Sequence, residues 1–303
     1  KNKSFKLNMV LNGIKGLMGI LFPLISFPYV SRVLGVENLG RFNFASSVVS
    51  YFILVANLGI TPYAIRECAK VRESRKKADV FASDIFTINL ISVLFSIAML
   101  VITVFSVRKL SDYRTIITIL AMQIPLNLIG VEWVFSAFED YFYITIRSIF
   151  FQFLSLILLF AFVKNENSLI IYSIITVVSA AGVNILNWKL AKKYVRIRID
   201  FSDRLKKHMK PILLLFAMTV AGTVYSSTDM TILGFMCDDT SVGLYSVSTK
   251  VYNVVKTVIS SIVVVSIPRL SAILGEKNRS EFSNTVKEIN NILMTFAIPA
   301  MVG

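Results

Sequence analysis

The sequence predicts an all-α polytopic membrane protein, a two-lobe bundle of six-helix repeats around a central cleft with the second lobe truncated. Three observations predict it. The 303-residue chain is 55% hydrophobic with a mean hydropathy of +0.69, and only 17% of its residues are charged, against about 25% in soluble domains. Apolar stretches recur, each near the roughly 20 residues that cross a bilayer core. One glycine-centred motif also returns late in the chain.

Hydropathy places eight full spans, near 10–33, 41–65, 80–106, 114–137, 142–163, 168–188, 210–234 and 242–267, and part of a ninth from 286. Backbone polar groups in lipid must be satisfied within the segment, and barrel-type alternation is absent, so each span reads as a helix. The first span follows Lys1, Lys3 and Lys6 and ends in the stretch SRVLGVENLGRFNFASSV (31–48), where Gly35 and Gly40 stop and restart the chain. The second runs to a basic loop at 66–77, the third to a turn at 108–114, and the fourth to a turn at 138–140. A turn at Lys164 separates the fifth from the sixth. A strongly basic loop, 189–210, precedes the seventh; the short 235–241 turn leads to the eighth, and 269–287 to the ninth. The chain stops at Gly303 inside an apolar segment, which reads as a truncation.

Charge sets the expected orientation. The N-terminus and the loops 66–77, 138–140, 189–210 and 269–287 hold 22 lysines and arginines, against six in the alternate turns. The first set is therefore expected in the cytoplasm, with the N-terminus inside. The formal net charge of +14 follows from this topology and from contact with anionic headgroups, not from nucleic-acid binding. Cys68 and Cys237 fall on opposite faces and form no disulfide or metal-ligand pattern. The single histidine, His208, lies in the basic stretch RLKKHMK and reads as a solvated loop residue. Nothing here forms a catalytic or metal constellation, and no cofactor is implied.

VLGVENLGRFNFASS (33–47) aligns with ILGFMCDDTSVGLYSVST (232–249). Each has an apolar-Leu-Gly start, a polar turn, then Gly, any residue, an aromatic and small residues. The spans that follow carry Pro62 and Pro268. A six-helix unit repeated in parallel orientation follows, with domains at 1–190 (first lobe), 191–209 (basic cytoplasmic linker) and 210–303 (start of the second lobe). Such repeats place a site at their interface.

Polar residues fall on single helical faces in four spans: Asn8, Asn12, Lys15, Gly19, Pro23 and Ser26; Asn43, Ser46, Ser50, Asn57 and Thr61; Thr219, Gly222, Ser226 and Asp229; Ser246, Lys250, Asn253, Thr257 and Ser260, with Lys256 alongside. The hydroxyls and glycines read equally well as packing seams. The lysines do not, because charge within a span faces a partner or a wet cavity. The expected substrate cleft is Asn12, Lys15, Asn57, Asp229, Lys250, Asn253 and Lys256. Glu132 and Arg147 stand six residues before and six after the 138–141 turn, which predicts a structural ion pair. Asp84 reads as interfacial.

NLGITPYAIRECAKVR (57–72), EWVFSAFEDYFYITIRSI (132–149), TDMTILGFMCDDTSVGLYSVSTKV (228–251) and FAIPAMVG (296–303) resemble, in the expected order, the polysaccharide (Wzx-type, O-antigen) flippases. These belong to the multidrug/oligosaccharidyl-lipid/polysaccharide exporter superfamily. The turn at 137–139 departs from the family, reading Ala-Phe-Glu where glycine is common. The resemblance implies twelve to fourteen helices in two lobes around a cationic cleft. It implies alternating-access flipping of an undecaprenyl-pyrophosphate-linked oligosaccharide across the bacterial cytoplasmic (inner) membrane. Asp229 and Lys250 fall on the family's D…LG…G-x-Y-x-x-x-x-K pattern. The implied partners are that lipid-linked oligosaccharide, the phospholipid bilayer and a coupling ion. The rivals are a drug/cation antiporter or peptidoglycan-precursor flippase of the same superfamily. A membrane glycosyltransferase or polysaccharide polymerase fits less well, since the outer turns are short and offer no acid/base groups.

Overall fold

The protein is described from a computed structural model, which covers residues 5–253, 256, 266, 270 and 279–302; side chains are described from residue 21 up to 253, and at some positions before and after. Contacts divide the chain into two units, 1–244 and 245–303. Among the described residues every regular element is helical: α1 (Phe5–Asn57), α2 (Ile60–Val71), α3 (Arg75–Ser106), α4 (Arg114–Ala121), α5 (Gln123–Gly130), α6 (Glu132–Ala137), α7 (Tyr141–Phe162), α8 (Leu169–Ala181), α9 (Val183–Ala191), α10 (Leu205–Met236), α11 (239–253) and α12 (Arg279–Val302), with 3₁₀ turns at Arg108–Tyr113 and Glu166–Ser168. The all-α polytopic reading is borne out: six stretches are long and apolar enough to cross a membrane.

α1 contains the first surprise. It is helical from end to end except at Gly35, whose φ of 74° and ψ of 168° are open only to glycine. Contacts on either side show that the chain reverses there. Before Gly35, α1 runs alongside α7 in the same direction: Thr145 donates to the Leu11 carbonyl, Phe22 packs edge-on to Phe153 and Tyr29 to Phe160. After it, the chain runs back along α10, with Tyr51 bonded to Thr228 and Tyr63 to His208. One residue therefore makes the turn expected over 32–41. Gly40 does not restart the helix; it lies within it.

Because of that reversal, residues 5–236 cross end to end seven times, matching the first seven expected spans. One end carries the basic loops 66–77 and 189–210; the opposite end carries Gly35, 108–113, 163–168 and 236–243. Two spans are interrupted. The second breaks at Leu58 and Gly59, both left-handed, so Pro62 sits in the first turn of α2, where proline is tolerated. The break leaves the Ala56 carbonyl without its helical donor, and α3 supplies replacements from Asn89 (2.7 Å) and Ser92 (2.6 Å). In a membrane interior such an orphan has no water to bond. The fourth span breaks into α4, α5 and α6, with Val131 left-handed.

After α9 the chain runs extended across α3. The amides of Arg196, Arg198 and Asp200 donate to Asp79 (2.7 Å), Ser83 (3.0 Å) and Thr87 (3.1 Å). The spacing matches because two extended residues advance about 6.6 Å and four helical ones about 6 Å. In the second unit α12 begins at Arg279 with Glu281 in its first turn. The eighth span is described as α11 only to residue 253; Thr257, Ser260 and Pro268 lie outside the described residues.

Candidate functional site

The second half of α1 and α10 are joined side by side, and the chemistry of that seam changes along its length. Toward the opposite end it is closed. The hydroxyls of Thr231 and Ser47 lie 3.0 Å apart and those of Ser50 and Ser227 3.4 Å apart, and Phe44 packs edge-on to Phe235 and Tyr113. Farther out α1 meets the start of α11 at backbone contact. A Cβ on Gly40 would fall 1.7 Å from the Asp239 carbonyl oxygen, and one on Gly243 2.1 Å from that of Val36. These glycines are the two equivalent positions of the aligned repeat, and they face each other. Beside them Arg41 pairs with Asp239 (3.1 Å), which also accepts from the Tyr113 hydroxyl (2.5 Å). Asp238 caps α11; the hydroxyl and amide of Ser241 hold its carboxyl below the usual range.

Toward the basic end the seam opens into a cavity of about 460 Å³, lined by Ser50, Asn57, Thr61, Thr219, Thr223, Ser226 and Ser227 with Ile53, Leu54, Ile60, Pro62 and the Gly59 backbone. The helix break at 58–59 borders this space, and there Gly59 packs so closely on α10 that a Cβ would fall 2.7 Å from the Phe216 amide nitrogen. Several of the hydroxyls donate to their own helix: Ser50 to the Ser47 carbonyl, Thr219 to Phe216 and Ser226 to Thr223. Each keeps its oxygen as an acceptor. Among the described residues, no charged side chain lines this cavity.

Of the polar faces read from the sequence, the structure brings Ser50, Asn57, Thr61, Thr219 and Ser226 to this one cavity. Thr223 and Ser227 were missed, although the same helical spacing includes them. Asn43 is not there; it donates to the Leu39 carbonyl of its own helix. Of the expected cleft residues only Asn57 lines the cavity. The side chains of Asn12 and Lys15 lie outside the described residues. Asp229 is exposed on α10 in the first unit. Lys250, Asn253 and Lys256 are exposed in the second unit, Lys256 over the Tyr252 ring at 5.8 Å.

One other reading is corrected at the basic end. His208 is buried, not solvated, and it sits beside Asp84, which is fully buried. His208 Nδ1 lies 2.7 Å from the Tyr63 hydroxyl, and its Nε2 lies 3.6 Å from Asp84. Arg204 reaches Asp84 at 3.4 Å and also pairs with Asp200, two carboxylates that raise its pKa. A basic stretch hid this cluster, because the adjacent Lys206 and Lys207 are exposed on the other side of the helix. The expected Glu132–Arg147 pair is present at 2.5 Å. Arg147 is 5% exposed, bonds Asn187 as well, and stacks near Tyr143 and Phe135. Glu139 explains the departure at 137–139: it occupies the left-handed region (φ 56°) where glycine would be easier.

Residues 7–274 match the polysaccharide biosynthesis protein family. The chain belongs to this family. That bears out the resemblance read from the four sequence segments. The chain is also 25% identical over 275 residues to an Escherichia coli (strain K12) protein named "Putative O-antigen transporter", covering 89% of this chain and 66% of that protein. The chain thus spans just under two thirds of the length of this relative. No solved structure matches it.

Proposed function

We propose that this polysaccharide biosynthesis family member is a flippase. It carries an undecaprenyl-pyrophosphate-linked oligosaccharide across the bacterial cytoplasmic membrane by alternating access, with its N-terminus and basic end in the cytoplasm. The observation that carries the reading is the hydroxyl- and amide-lined cavity between α1–α2 and α10. A sugar presents a dense array of O–H donors, and the seryl and threonyl oxygens left as acceptors suit them. Its volume falls in the range of about 300–1,000 Å³ typical of small-molecule sites. A polar glycan cannot enter hydrocarbon unaided, whereas the polyprenyl tail can stay in it.

The closed opposite end fits one stage of the cycle. With Gly40 against Gly243 and Arg41 on Asp239 at one end, and Gly59 against the Phe216 backbone and Tyr63 on His208 at the other, the seam is held on both sides of the cavity, as an occluded stage of a carrier requires. In this proposal residues 1–190 form the first lobe, 191–209 the cytoplasmic linker and 210–303 the start of the second. Lys250, with Lys15 and Lys256, meets the anionic pyrophosphate; Asp229 tunes Lys250, and Asn12 and Asn253 extend the polar wall. No covalent bond changes, so the protein is not an enzyme. The relative's name, an O-antigen transporter, supports the transport reading, and the basic loops support the orientation.

The test is substitution of cavity groups with isosteres that keep volume. Thr223→Val combined with Asn57→Leu removes acceptors worth about 1 kcal/mol each. Transport should fall about tenfold or more while the protein accumulates normally. Undiminished transport would remove the cavity from the pathway.

A further inference from the structure

We propose that His208 and Asp84 together form a proton-binding site that fastens the basic end of α10 to α2 and α3. The proposal rests on the transporter reading only for the use made of the proton, not for its binding. The geometry carries it. With Tyr63 donating to Nδ1, the neutral imidazole keeps its hydrogen on Nε2, aimed at Asp84 across 3.6 Å. That is beyond hydrogen-bond range, and Nε2 is buried with no hydrogen-bond partner.

Asp84 is fully buried, and Arg204 donates to both of its oxygens, from Nε to Oδ2 and from Nη2 to Oδ1, each at a long 3.4 Å, while pairing more closely with Asp200. Among the described residues Asp84 is the one fully buried charge beside the imidazole, and a second donor on its carboxylate would offset part of the cost of burying it. A proton taken up by the imidazole makes both ring nitrogens donors: Nδ1–H turns to the Tyr63 oxygen and Nε2–H to the Asp84 carboxylate.

Every element around the imidazole contributes: burial, and then Lys207, lower its proton affinity, while Asp84 and Glu67 raise it. Tyr63 and Glu67 face it from α2, with Arg66 over the Tyr63 ring at 5.9 Å. Phe81 and Asp84 face it from α3, and Arg204 and Lys207 belong to its own segment. The site joins three helices, so its occupancy sets how firmly α10 is held at that end. In a carrier whose second lobe begins with α10, proton uptake there favours the docked arrangement and proton release frees it.

His208 is the only histidine in the chain, which makes the test direct. Protein labelled with ¹⁵N-histidine is placed in lipid nanodiscs and titrated from about pH 5 to 9, a range that brackets the ordinary imidazole pKa of about 6.5. The sole imidazole should pass from the Nε2–H tautomer to imidazolium in one step. Asp84→Asn should lower its proton affinity about tenfold or more. An imidazole that stays neutral throughout, or a midpoint unmoved by Asp84→Asn, overturns the proposal.

A second measurement needs no change in the cluster. Spin labels at Lys77→Cys on α3 and Lys210→Cys on α10, with Cys68 and Cys237 replaced by serine, should give a narrow distance distribution at about pH 5.5. It should broaden at about pH 8.5, two units above the ordinary imidazole value. His208→Gln should abolish the pH response. Identical distributions at both pH values in the protein with His208 intact would contradict the latch. Neither readout involves a glycan, so their failure leaves the flippase reading standing. Loss of transport in the cavity variants would leave the titration untouched.

Discussion

Arg147 shows how much one side chain can hold in a bundle with little water. It is buried, and it bonds Glu132 at 2.5 Å and Asn187, whose neighbour Asn184 bonds Asn127 across to α5. Three helices after the fourth span's breaks are thus tied through one guanidinium. Arg147→Ala removes the guanidinium from both Glu132 and Asn187, at a cost of about 3 kcal/mol or more. The expected outcome is a lower thermal midpoint for the purified protein in detergent, with Glu132→Gln milder because its carboxylate is 43% exposed. An unchanged midpoint for Arg147→Ala would mean that the pair is incidental. This contact was legible because both charges sat symmetrically about a turn. The Asp84–His208 cluster was not, since its members lie 124 positions apart and neither is flanked by an obvious partner.

At the scale of elements, hydropathy and charge located the spans well and their breaks badly. Apolar length decides that a segment crosses, but not that it is interrupted at 58–59, 122 and 131; at the first of these, side chains from α3 rescue the freed carbonyl. No local signal announces them. The turn over 31–48 was expected to use two glycines in the same way, and the structure separates their roles: Gly35 reverses the chain, Gly40 admits another backbone. The repeat alignment paired Gly40 with Gly243 without implying that they touch. A Cβ at Gly40 collides with backbone that cannot swing aside, and such overpacking costs about 1–3 kcal/mol. Gly40→Ala should therefore loosen the contact between α1 and α11. A cysteine at Val242, which is fully buried, should react with a water-soluble maleimide about tenfold faster in that background. Equal rates would show that the glycine contact does not hold the end closed.

For the molecule as a whole, the account joins a closed end, a polar cavity and a basic end into one transport path. Half of the candidate site was visible as helical faces, because Ser50, Asn57, Thr61, Thr219 and Ser226 repeat at helical spacing. That these faces meet each other, and not separate neighbours, is a tertiary fact that spacing alone does not contain. The central claim is that the protein moves a lipid-linked glycan between leaflets. It is tested most directly in proteoliposomes containing undecaprenyl-pyrophosphate-linked oligosaccharide from the host's own membranes, symmetrically distributed at the start. Oxidation of the exposed glycan by an impermeant reagent should consume nearly all of it when the intact protein is present, the inner pool emptying as it is flipped. It should stop at about half in protein-free vesicles, whose two leaflets carry similar amounts and whose hydrocarbon core bars the glycan. Oxidation that stops at the same half with folded, intact protein in the membrane would contradict the account.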